Sequence, residues 1–178
     1  MYLIGIDIGS TAAKAVIMSE DKKKIINHMI MPTGWSSKET ADSILSWLQG
    51  QNVTPENSHI TATGYGRISV PYADKIVTEI TCHGRGAYYL NEKDCTVIDI
   101  GGQDTKIIFV ENGMVSNFIM NDKCSAGTGR FLEIMANTLG VNLDEIFTLA
   151  GKGREISISS MCTVFAESEV ISLIGSGS

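Results

Sequence analysis

"IDIGSTAAKAV", residues 6–16, returns as "IDIGGQDTKII", residues 98–108, an offset of 99 − 7 = 92 residues in a chain of 178. Each copy is a β-branched apolar run ending in Asp, then a Gly turn, then a Lys leading into a second apolar run, which is the pattern of a β-hairpin. Its recurrence marks a duplicated unit. After the first copy, "KIINHMIM" reads as a third strand and Ser37 to Gln49 as a helix. A strand over "HITATGYG", a short helix, a strand over "KIVTEI" and a helix from His83 to Leu90 complete the unit. After the second copy, "MVSNFIM" reads as the third strand. Helices follow from Thr128 to Leu139 and from Leu143 to Ala150, then a strand-like "EISIS" and a helical "VFAESEVISLI".

Three antiparallel strands followed by alternating helices and strands describe an α/β fold, a mixed five-stranded sheet with helices on its faces. Residues 1–92 are expected to form one lobe and residues 93–178 the first half of a second, lacking a final strand, helix, strand and helix. The chain is therefore expected to be a fragment or one piece of a larger assembly. The closing "GSGS" reads either as a natural loop or as an engineered linker.

The composition is that of a soluble globular protein, 43% hydrophobic and 19% charged, with a net charge of −6. Binding to nucleic acid or to an anionic membrane is not expected, because both need clustered Lys and Arg. Only Lys22, Lys23 and Lys24 run together, and they read as a solvated turn. No secretion signal opens the sequence and no apolar stretch approaches the ~20 residues of a membrane span, so the expected location is cytoplasmic. There the four cysteines are reduced, which leaves metal binding, catalysis or packing as their uses.

A strand-end Asp before a Gly turn has a mechanical use. Gly lets the backbone approach a phosphate, neighbouring N–H and hydroxyl groups donate to it, and the Asp holds hydrated magnesium. A single Asp-x-Gly is more simply a capped turn. Two in register, each with a Lys seven residues after the Asp (Lys14 and Lys106), favour the phosphate reading. The candidate phosphate set is Gly9, Ser10, Thr11 and Lys14 from the first hairpin and Gly101, Gly102, Gln103 and Thr105 from the second. Asp7 and Asp99 are the candidate magnesium carboxylates. Gln103 or Asp104 is the candidate for positioning an attacking water, Asp104 being equally an ordinary turn residue.

"GIDIGSTAAK" and "DIGGQDTK" resemble the two phosphate loops of the acetate and sugar kinase, heat-shock chaperone and actin superfamily. The resemblance implies two ribonuclease-H-like lobes around ATP and magnesium. The superfamily's adenosine motif, a Gly-Gly turn in the second half of lobe two, has no counterpart in this sequence.

Of the cysteines, Cys95 opens the apolar "CTVIDIGG" and reads as a buried, inert thiol. Cys82 beside His83 could bind metal, but with no second ligand pair nearby a packed connector is the simpler reading. Cys124 in "NDKCSAGTG" and Cys162 in "SISSMCTVF" lie in polar, small-residue stretches just before expected helices. A helix N-terminus offers unpaired N–H groups and the positive end of its dipole to a thiolate, the form that ligates iron. Chance cysteines near helix caps are the alternative.

"NDKCSAGTGRFLE", "VTEITCHGRGA", "DIGGQDTK" and "CTVFAESEVISL" together resemble the activator ATPases of 2-hydroxyacyl-CoA dehydratases and the related ATPase subunits of benzoyl-CoA reductase, from Gly5 to about Leu173. That resemblance implies that Cys124 and Cys162 ligate iron and that two subunits share one 4Fe-4S cluster, with the helix N–H groups at Cys124 bonding to it. It further implies ATP hydrolysis coupled to one-electron transfer, with ferredoxin or flavodoxin as donor and a dehydratase or reductase as acceptor. The rival readings are a small-molecule kinase of the same superfamily and a truncated, non-hydrolysing cluster-binding module.

Overall fold

The computed structural model describes residues 1–177; of the closing "GSGS", Ser178 lies outside them. The chain divides into two compact units, Met1–Cys95 with Phe109–Asn117, and Thr96–Ile108 with the described residues from Phe118 onward.

The first unit contains β1 (Tyr2–Ile8), β2 (Ala12–Ser19), β3 (Ile25–Pro32), α1 (Ser37–Gly50), β4 (Ser58–Thr63), β5 (Lys75–Ile76) and α2 (Glu79–Asn91). Its sheet runs β3-β2-β1-β4-β5. β2 pairs antiparallel with both β1 and β3, while β4 pairs parallel with β1 and β5, so the sheet is mixed as expected. Period-2 alternation sends Ile4, Ile6, Ile8, Ala13, Ala15, Ile17, Ile60 and Ala62 into one core. Ala41, Ile44 and Leu48 of α1 join it from spacings of three and four. Ser36 caps that helix by accepting from Glu39 N at 3.2 Å. The lysine run lies in the exposed β2–β3 turn, where Lys22 has φ 61°.

The expected strand "KIVTEI" stops at Ile76, because Thr78 already stands at the N-cap position of α2 and Glu79 and Ile80 form its first turn. A single residue compensates for the shortness of β5. Asp74 accepts from Ile60 N through its carboxylate at 2.7 Å and donates its own N–H to Ile60 O at 2.9 Å, extending the ladder beside β4. The Ile60 N–H holds that carboxyl below the usual carboxylate range, with His59 adding to the effect.

The second copy forms β6 (Cys95–Ile100), β7 (Thr105–Glu111) and β8 (Met114–Asn121), a three-stranded sheet in the order β6-β7-β8. β7 turns into β8 through Asn112 and Gly113, with φ 51° and 73°, the left-handed pair of a tight hairpin turn. Then come α3 (Gly129–Leu139), α4 (Leu143–Ala150) and α5 (Thr163–Gly175). α3 packs against α4 and α5, and Thr138 donates to Glu167 at 3.1 Å. Asn142 and Glu145 close a capping box at the start of α4.

Two expectations fail here. "EISIS" pairs with no strand among the described residues and runs as irregular chain. Cys95 is half-buried rather than enclosed, because β6 is an outer strand. Ile98 and Ile100 on that strand are 68% and 62% exposed, whereas Ile6 and Ile8 at the matching positions of β1 are 1% and 0% exposed. Among the described residues no helix is long and apolar enough to cross a membrane.

Candidate functional site

The two hairpins close by the same backbone bond. Gly9 N donates to Ala12 O at 3.1 Å, and Gly101 N donates to Asp104 O at 2.8 Å. The duplication read from the letters is thus a duplication of turn geometry.

In the first hairpin, antiparallel register sets Asp7 opposite Lys14, and Lys14 Nζ lies 3.0 Å from Asp7 Oδ2. The lysine side chain keeps 43% of its surface in solvent and the aspartate 21%, so Lys14 can swing towards an incoming phosphate. The other carboxylate oxygen, Asp7 Oδ1, is buried without a hydrogen-bond partner. A buried anionic oxygen lacking a donor suits a cation such as hydrated magnesium. Gly64 sets the space beside it. With φ +85°, it is also the position where an added Cβ would strike Asp7 Oδ1 and the carbonyl of Ile8. Ser10 is half-buried and Thr11 exposed in the turn itself. Thr33, which the sequence did not single out, braces the turn, donating its hydroxyl to Gly9 O at 2.7 Å and its N–H to Thr11 O at 3.0 Å. No motif flags it.

The second hairpin is wired differently. Lys106 is 3% exposed in its side chain and lies 2.7 Å from Asp104 Oδ1 and 3.4 Å from Asp99 Oδ2. Ala12 stands where the second copy has Asp104, so Lys14 lacks this second carboxylate. Lys106 is therefore an internal counter-ion rather than a group poised for phosphate, and Asp104 is its partner. Gln103 is exposed at the turn, and Gly101 passes so near Asp104 that a Cβ would lie 2.6 Å from Oδ1. The carbonyls of Gly101 and Gly102 accept from Gly129 N at 2.9 Å and Arg130 N at 3.0 Å, the first amides of α3. Thr105 Oγ1 donates to Gly127 O at 2.6 Å.

Those bonds correct the expected use of the helix terminus. The leading amides of α3 are taken by the hairpin, and the amide directed at the Cys124 sulfur is that of Ala126, at 3.4 Å. Cys124 sits four residues before the N-cap Thr128, in a turn clasped by Asn121. The Asn121 amide donates to Cys124 O at 2.9 Å and Ala126 O at 3.1 Å, and its oxygen accepts from Cys124 N at 3.2 Å. Asn121 lay within the quoted motif but carried no assigned role; its short side chain at the end of β8 is the only signal.

Cys162 is itself the N-cap of α5. Ser125 and Thr163, the residues that follow the two cysteines, share a hydrogen bond of 2.9 Å, so the two thiol-bearing segments are tied side by side. Cys162 also lines a cavity of about 570 Å3 with Ala126, Gly127, Phe131, Ile158, Ser159 and Ser160. Two thiols on joined loops of small residues fit half of a four-thiolate shell around an iron-sulfur cluster. Cys82 and His83 lie within the first turns of α2, not in a connector, and Cys82 N donates to Thr78 O at 3.1 Å.

Residues 4–178 match the BadF/BadG/BcrA/BcrD ATPase family. The chain is 48% identical to the (R)-2-hydroxyglutaryl-CoA dehydratase activating ATPase of Acidaminococcus fermentans, over 99% of this chain and 69% of that protein. The crystal structure of the A. fermentans (R)-2-hydroxyglutaryl-CoA dehydratase component A superposes with a TM-score of 0.90 at 47% identity, covering 100% of this chain and 70% of that one. The activator of the 2-hydroxyisocaproyl-CoA dehydratase from Clostridium difficile, solved with bound ADPNP, superposes with a TM-score of 0.88 at 40% identity, covering 100% and 67%.

Proposed function

Because the chain belongs to the BadF/BadG/BcrA/BcrD ATPase family, we propose that it is an activator that couples ATP hydrolysis to one-electron transfer into a 2-hydroxyacyl-CoA dehydratase or a related iron-sulfur reductase. The observation that carries this reading is the Ser125–Thr163 bond, which ties the Cys124 and Cys162 segments together. The small-molecule kinases of the wider superfamily have no use for such a thiol pair, and the names of the relatives support the activator reading over the kinase.

In this reading Asp7 and Asp99 hold magnesium, and Gly9, Ser10, Thr11, Lys14, Gly101, Gly102, Gln103 and Thr105 surround the phosphates of ATP. Exposed Gln103 orients the attacking water, and Asp104 serves that step by fixing Lys106 against Asp99. Water attacks the γ-phosphorus, the bond to the β-phosphate oxygen breaks, and ADP and phosphate leave. Cys124 and Cys162 supply two thiolates, and a second copy of the chain supplies the other two around a shared 4Fe-4S cluster. When bound, that cluster supplies a carrier for one electron at a time, drawn from reduced ferredoxin or flavodoxin and passed to the partner enzyme. Asn121 and Ala126 hold the Cys124 segment in place for that ligation. Residues 1–92 and 93–178 act as two lobes of a cytoplasmic ATPase.

The test is anaerobic reconstitution with iron and sulfide, followed by metal and sulfide assays and a visible spectrum. About four iron per two chains, lost in both Cys124→Ser and Cys162→Ser, is the expected result. An iron-free protein after reconstitution overturns the cluster, and a reconstituted protein that does not hydrolyse ATP reduces the reading to a cluster-binding module.

A further inference from the structure

Thr105 belongs to the second phosphate hairpin, yet its hydroxyl is given to the carbonyl of Gly127 at 2.6 Å. A threonine hydroxyl carries one proton and so can donate once. A phosphate oxygen and a peptide carbonyl are both acceptors, so the two compete for that single proton.

Gly127 lies in the segment that holds Cys124. The residue before it, Ala126, donates its N–H to the Cys124 sulfur at 3.4 Å and gives its carbonyl to Asn121 at 3.1 Å. The residue after it, Thr128, bonds back to Ser125 O through its N–H at 3.1 Å and its hydroxyl at 2.6 Å. The amides of Gly129 and Arg130 bond to Gly101 O and Gly102 O. The hairpin turn and the cysteine segment are thus joined at three points. Two of these are backbone bonds that a ligand in front of the turn leaves alone, and the third is a side-chain donor that can rotate away.

From this we infer that Thr105 is a one-proton switch between nucleotide and thiol. While Thr105 donates to Gly127 O, the Cys124 segment is held tight. When a nucleotide triphosphate presents an oxygen to the turn, the hydroxyl rotates onto it, Gly127 O loses its donor, and the Cys124 segment loosens while α3 stays anchored through Gly129 and Arg130. The inference rests on the nucleotide reading of the hairpins and adds to it a residue through which occupancy reaches Cys124. Hydrogen-bonded chains of this kind carry coupling between sites when one member has two discrete partners.

The experiment follows alkylation of the Cys124 thiol by iodoacetamide, resolved by peptide mass spectrometry, in the full chain without cluster, with and without a saturating non-hydrolysable ATP analogue and magnesium. In the unmodified chain the analogue raises the Cys124 rate about fivefold, the scale of one hydrogen bond. In Thr105→Val the rate is raised to that level without analogue and shows no further response. Thr105→Ser, which keeps the donor, behaves as the unmodified chain. A Thr105→Val rate equal to that of the unmodified chain without analogue, or a full response to analogue in that variant, overturns the switch. Equilibrium dialysis of the analogue separates the two layers: bound analogue with unchanged Cys124 reactivity removes the switch alone, and absence of binding removes the nucleotide reading together with it.

Discussion

Lys106 donates to Asp104 across 2.7 Å with 3% and 7% of the two side chains exposed, so this ion pair sits essentially outside water. Removing Asp104 leaves the buried Lys106 ammonium with Asp99, at 3.4 Å, as its remaining carboxylate, so the loss falls at the lower end of that for a broken buried pair, about 3 kcal/mol. Asp104→Ala, which gives the second hairpin the residue found in the first, is expected to lower the unfolding free energy by that amount in urea titrations. Lys14→Ala removes a half-exposed pair and is expected to cost about 1 kcal/mol or less. Equal losses in the two variants would contradict the asymmetry between the hairpins.

The unpartnered Asp7 Oδ1 predicts a metal effect. Asp7→Asn removes the negative charge while keeping the shape, so calorimetric titration of an ATP analogue should give the same weak affinity with magnesium as with a chelator. The unmodified chain should bind more tightly with magnesium. A magnesium dependence that survives in the variant would assign the ion to other groups.

Gly64 predicts a backbone effect. Gly64→Ala places a methyl group on the Asp7 carboxylate and the Ile8 carbonyl at φ +85°. The left-handed conformation costs an L-residue about 1 kcal/mol before the clash is counted, and the clash adds to it. The melting temperature should fall by several degrees, with nucleotide affinity falling as Asp7 is displaced. An unchanged melting curve would mean that the β4 end moves freely, against the bond of Gly66 N to Ile8 O at 2.9 Å.

Much of this arrangement was legible in the letters, for identifiable reasons. The duplicated strand-Asp-Gly-Lys pattern predicts both hairpins because alternation and turn chemistry are local, and the spans expected for α1 and α4, Ser37 to Gln49 and Leu143 to Ala150, agree with those observed. "EISIS" was misread because strand propensity acts only beside another strand, and residues 155–159 have none. Lys14 and Lys106 occupy equivalent positions, and their different fates depend on Ala12 against Asp104, a pairing visible only when the strands are folded. Thr33 was invisible because a lone threonine after a strand carries no pattern, and its role arises from the β2–β3 register.

Asp74 makes a pH prediction for the first unit. Its carboxyl is held below the usual range in the folded chain, first by Ile60 N and secondarily by His59. A depressed folded value means that its contribution is fully present above the unfolded value of about 3.9 and is lost as pH falls through the folded one. Stability of the unmodified chain should therefore decline more steeply on acidification through this window than that of Asp74→Asn. Parallel curves for the two proteins would show that the Ile60 bond does not distinguish carboxylate from amide.

The outer strand β6 bears on how the protein behaves as a material. Ile98 and Ile100 stand on it at 68% and 62% exposure, on the rim of a three-stranded sheet. Such a rim is a template for further strands and recruits other molecules by edge pairing. Self-association of this chain is accordingly expected to rise with concentration, and a charged residue at position 98 is the natural gatekeeper against it.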